Sequence, residues 1–78
     1  MNDKPTYEYN QHDLIECFHK AGIRILNLEA YFNNSYVKKN FGIESIQTSL
    51  FFPTSGNIKF TLNDPQKFFL KVIKYGLI

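Results

Sequence analysis

His12, Glu16 and His19 fall on one helical stripe, two imidazoles and a carboxylate of the kind that hold a divalent metal. A zinc site needs a further ligand from another element and hydrogen-bond partners that orient the imidazoles. The chain has no third histidine, and its one cysteine, Cys17, falls toward the apolar side of the same helix. Cys17 as a nucleophile with His19 as its base fails on geometry, because residues two apart on a helix diverge by about 200°. No phosphate loop, nucleophile elbow or dinucleotide fingerprint occurs, and the four glycines read as turn and cap residues. The expectation is no enzyme, no metal and no cofactor.

Charge recognition is better supplied. Lys67, Lys71 and Lys74 recur at i, i+4 and i+7, a basic stripe with Leu70 beside it and Leu77 and Ile78 just past the last glycine. Such a stripe can neutralise phosphates with steep salt dependence, dock on an acidic protein surface, or simply solubilise the outer side of an amphipathic helix. Apolar residues flanking a charged stripe favour the protein-binding version. Lys38 and Lys39 form a second basic pair, with Tyr36 next to them and Phe51 as a further aromatic contact. Lys67, Lys71, Lys74, Leu70, Lys38, Lys39, Tyr36 and Phe51 are the candidate partner-binding set. Charge along the chain points the same way: residues 1–34 sum to −2 and residues 35–78 to +4. That asymmetry suits an acidic partner.

The elements that position these residues are short. Residues 1–8 read as a polar leader, and residues 9–78 as a single small domain. A first helix starts at an Asn10 cap, with Leu14, Ile15, Cys17, Phe18 and Ala21 on one face and Gly22 as its stop. Residues 23–26, "IRIL", are β-branched and read as a short extended segment. A second helix begins at Asn27 and breaks at Asn33 and Asn34. A third restarts with Ser35 as cap and ends at Gly42. Segments 47–52 and 58–62 flank "PTSGN" and predict an antiparallel hairpin, with Ile58, Phe60 and Leu62 inward and Lys59 and Thr61 outward. The last helix has Asp64 as cap, Pro65 at its first position, and Phe68, Phe69, Val72 and Ile73 on its buried face.

The expected fold class is α+β, three to four short helices packed on a small antiparallel sheet. Residues 35–52 also admit a helix-turn-helix, with Gly42 in the turn. Lys38 then stands where a small residue normally lets the helices approach. The reading helix "IESIQTSLFF" would be β-rich and would offer only Gln47 as a good base-edge reader. With 47–52 as a strand, the order of elements resembles a winged-helix domain whose wing tip is "PTSGN". Its reading helix would be short, with Lys38, Lys39 and Asn40 exposed.

With 78 residues and no second cysteine to close a disulfide, the domain must find its stability in packing. Eight Phe and five Tyr supply the area for it. The first stretch is polar, so no signal peptide is expected, and no apolar run approaches the roughly 20 residues that span a bilayer. The expected location is cytoplasmic, and "NNS" at 33–35 is then a polar turn rather than a glycosylation site. Phe, Tyr, Ile, Asn and Lys make up nearly half the chain. These are residues of AT-rich codons, which by itself explains lysine over arginine. Small size, no catalytic set and surplus aromatics fit a non-catalytic protein that modulates a macromolecular partner by occupying a surface. An inhibitor of a host system, carried by a phage or mobile element, is one such protein. A protein partner comes first and nucleic acid second; a second copy of the chain is a further partner, and a membrane is not expected.

Overall fold

Asn10 closes one element and opens the next. The computed structural model describes residues 4–48 and 55–76. In it Thr6–Asn10 forms strand β1, and the Asn10 side chain caps helix α1, Gln11–Lys20, by accepting the Asp13 N–H at 3.2 Å. Helices α2 (Leu28–Phe32) and α3 (Ser35–Phe41) follow, then strands β2 (Ile43–Thr48) and β3 (Asn57–Leu62) and helix α4 (Pro65–Lys74). The fold is α+β. Among the described residues, four helices pack on a three-stranded antiparallel sheet in the order β1-β3-β2.

Period-two alternation sorts the sheet into two faces. Register places Tyr7 and Ile46 opposite Phe60, and Tyr9 and Thr48 opposite Ile58, so these side chains share the face that meets the helices. The other face carries Glu8, Gln47 and Lys59, all exposed, with Glu8 and Lys59 directly opposed across the strands. Ile58, Phe60 and Leu62 are buried with Leu14, Phe18, Leu28, Phe32, Phe41, Phe68 and Val72 in one cluster. Rings hold it together. Phe18 lies 5.2 to 6.4 Å from Tyr31, Phe32, Phe41 and Tyr75, and Phe32 reaches Phe60 at 5.0 Å edge-on. Edge-to-face and tilted pairs at such separations add to the burial itself. Gln11, fully buried at the first turn of α1, donates its amide to the Ser55 carbonyl at 2.8 Å and ties that helix to the hairpin.

Several expectations need correction. Residues 6–8 are not a leader. Tyr7 and Tyr9 flank Glu8 at a period of two, and both lie against α4 rings: Tyr7 meets Phe69 edge-on at 4.9 Å, and Tyr9 stands 6.3 Å from Phe68. Residues 23–26 are not a strand, although Ile25 is buried: they pair with no strand among the described residues, and β1 lies on the edge of β3 away from β2. The third strand therefore precedes α1 instead of standing between α1 and α2. The cap of α3 is Asn34, whose carboxamide accepts the Tyr36 and Val37 N–H groups at 2.9 and 3.1 Å; Ser35 is the first helical residue.

The hairpin starts earlier than expected, at Ile43, with a bulge at Glu44. Gln47 and Thr48 pair with Lys59 and Ile58 as the hairpin predicts, and residues 49–52 lie outside the described residues. A reading helix beginning at residue 43 is overturned by the same pairing. On α4, Phe68 and Val72 are buried and Phe69 half-buried, but Ile73 is 66% exposed. The helix turns its Lys71 and Tyr75 flank toward α3, which rotates Ile73 outward.

A candidate partner-binding face on α3 and α4

Gly42 brings the two lysine-bearing helices together. It ends α3 with φ +67, and its carbonyl accepts the N–H groups of Asn63 and Asp64 at 2.7 and 3.0 Å, just where α4 begins. A Cβ at this position would stand 2.5 Å from the Asp64 carbonyl oxygen. Only glycine offers both the left-handed backbone and the close approach. Asp64 then caps α4, accepting the Lys67 N–H at 3.1 Å, and Pro65 fills the first turn.

The lysine stripe lies along the seam so formed. Lys67 sends its ammonium to the Lys39 carbonyl at 3.4 Å, near the end of α3, where the helix dipole favours a cation. Lys71 is half-buried against α3, and Lys74 stands 5.6 Å above the Tyr75 ring. By helical spacing the three ammonium-bearing positions share an arc of about 60°, with Leu70 next along the surface and Ile73 beyond it. Leu70 and Ile73 are each 66% exposed, and Tyr36, across the seam on α3, is 74% exposed.

A cavity of about 170 Å³ opens between the helices. Val37, Phe41 and Tyr31 line its apolar side, and Tyr36, Asn40, Lys71 and Tyr75 complete it, with no acidic side chain among them. Burial pushes the Tyr31 phenol above its usual 10.0, and the nearby Tyr75 adds to the effect. It is therefore protonated at neutral pH and available as a hydrogen-bond donor. The Asn40 carboxamide already donates to the Tyr36 carbonyl at 2.8 Å.

The structure thus gathers Lys67, Lys71, Lys74, Leu70, Tyr36 and the end of α3 at Lys39 into one face. Lys38 falls apart from it, half-buried on the flank of α3 opposite Asn40. Phe51 lies outside the described residues. Sequence reasoning missed Ile73 as an exposed member, and it missed the cavity, which exists only where α3 packs on α4. Elsewhere, His12, Glu16 and His19 sit exposed on α1. Among the described residues no group of three His, Cys, Asp or Glu side chains could hold a metal ion. No helix among them is long and apolar enough to cross a membrane. No protein-family model, curated protein or solved structure matches this chain.

Proposed function

We propose that this is a small non-catalytic protein that binds an acidic surface of a partner protein through the α3–α4 face and modulates that partner by covering it. A single observation carries the reading: exposed apolar side chains, Tyr36 on one side and Leu70 and Ile73 on the other, flank the row Lys67, Lys71 and Lys74. Isolated exposed hydrophobics need no explanation, but a group of them around like charges has the make-up of a protein-binding patch. The lysines steer an acidic partner toward the face, and the apolar groups supply the area that excludes water. Inhibition of a host system by a phage or mobile-element protein is the biological setting that small size and AT-rich composition suit.

Nucleic-acid binding is the second reading, favoured by the same lysines and by a hairpin that directly follows α3. Against it stand the seven residues of α3, too few to reach far into a major groove, and a chain with one arginine. The two readings separate when Lys67, Lys71 and Lys74 are changed to Gln together and both forms are used as bait in nuclease-treated extract of the native host. Protein retained by the wild type and released by the triple variant supports the first reading. Retention of nucleic acid alone from untreated extract, with a salt slope of about 0.9 per phosphate contact, supports the second.

A further inference from the structure

Resting on that reading, we infer that the α3–α4 cavity seats one apolar side chain of a short acidic segment of the partner, with flanking carboxylates on the lysine row. Size argues first. A cavity of about 170 Å³ is below the roughly 300–1,000 Å³ of sites that enclose small organic ligands, and suits a single anchoring side chain. Its lining argues next. Val37 and Phe41 offer an apolar bed, while Tyr31, Tyr36 and Tyr75 add rigid rings whose hydroxyls can meet a peptide backbone. Aromatic-walled pockets of this kind hold the side chains that dominate binding energy.

Charge then selects the segment. No lining residue is acidic, and Lys71 stands at the cavity itself, half-buried, where its field is screened less than at the open surface. Lys67 and Lys74 lie about 6 and 4.5 Å along the helix axis on either side of it. In an extended peptide, side chains on one face recur every ~7 Å. An apolar residue in the cavity therefore places carboxylates two positions before and after it close to those ammonium groups. The segment has the pattern acidic, any, apolar, any, acidic.

The test uses two synthetic glutamate-rich peptides, one with a central phenylalanine and one with alanine there, titrated into the isotope-labelled full chain and followed by NMR. The phenylalanine peptide should bind at least about tenfold more tightly, as anchor truncations do. Amide shifts should concentrate at Tyr36, Val37, Asn40, Lys71 and Tyr75. Tyr36→Ala, at a largely exposed position, should erase the difference between the peptides while leaving the fold intact. Equal binding of both peptides, with shifts confined to the lysine positions, would overturn the anchored-segment inference and leave the acidic-partner reading standing. Absence of binding by either peptide overturns the inference too. If a duplex oligonucleotide then shifts the same amides at physiological salt, the acidic-partner reading falls with it.

Discussion

Helices α1 and α4 are matched in build and differ in what they show to solvent. Each has ten residues, a polar side-chain cap and basic residues in its last turn. Each buries rings against the same core, Phe18 from α1 and Phe68 from α4. The outer side of α1 mixes signs, with His12, Asp13, Glu16, His19 and Lys20 exposed and no large hydrophobic among them. That of α4 carries lysines, no acid, and the exposed Leu70 and Ile73. Folding asks the same of both helices, so the contrast lies outside what folding requires. An outer surface that keeps exposed apolar side chains among its charges, where its twin has none, is the place to look for a partner.

The largest effects should fall on what the two helices share. Phe18→Ala and Phe68→Ala each remove a ring that is at most 2% exposed, and each should cost about 3–5 kcal/mol. A core of this size rarely supplies more than about 3–5 kcal/mol in total, so neither variant should show a cooperative thermal melt by circular dichroism. Phe69→Ala, at a half-buried position, should cost less and keep the transition. A cooperative melt in one of the two core variants and not the other would break the equivalence of the inner faces.

Gly42→Ala comes next. The left-handed backbone alone costs a non-glycine residue roughly 1–2 kcal/mol, and the 2.5 Å approach to the Asp64 carbonyl adds to it, since the atom in the way is backbone and cannot swing aside. The urea midpoint should drop by more than the left-handed penalty alone predicts. The loss acts on the join between α3 and α4, so surviving folded protein should also show altered amide shifts at Asp64 and Lys67. α1 should keep its own.

Smaller still are the caps. Asn10→Ala and Asp64→Ala each delete one side-chain acceptor for a first-turn N–H, and each should cost about 1 kcal/mol. Near-equal shifts in the urea midpoint would sharpen the match between the two helices. A much larger loss for Asn10 would mean that its place at the end of β1 matters more than its capping bond.

How much of this was legible follows from which interactions are local. Caps at Asn10 and Asp64, the glycine stop at Gly42 and the inward alternation of Ile58, Phe60 and Leu62 are written within a few neighbouring residues, and they could be read there. β1 could not be placed in the same way. Its partner, β3, lies some fifty residues away, and the alternation of Tyr7 and Tyr9 spans too few residues to outweigh their polar neighbours. Conversely, "IRIL" has strand-like residues and no strand, since joining a sheet depends on where the rest of the chain places the segment and not on its residues alone. The rotation of α4 was likewise invisible, because Phe68, Phe69, Val72 and Ile73 admit two inward arcs and only contact with α3 chooses between them. Of the candidate face, the lysine stripe was readable from spacing alone. The cavity beside it depends on how two helices pack, and no local pattern encodes that.

The smallest effect on stability, and the sharpest test of the contrast, lies on the outer faces. Leu70→Gln and Ile73→Gln on α4 can be set against Glu16→Gln and His19→Gln on α1. All four positions are exposed and helical, and Gln is a good helix former, so each change should alter stability by no more than about 0.5 kcal/mol in urea titrations. Affinity for the glutamate-rich phenylalanine peptide should respond differently. Removing Leu70 or Ile73 takes away apolar area next to the lysine row and should weaken binding several-fold, since contacts that exclude water around a charge pair strengthen it. Loss of the Glu16 carboxylate should leave affinity unchanged or raise it slightly through the weaker long-range repulsion of an acidic ligand, an effect that salt should abolish. Equal responses from the two helices would mean that the exposed leucine and isoleucine of α4 are ordinary surface, and that its lysines solubilise the domain as the mixed charges of α1 do.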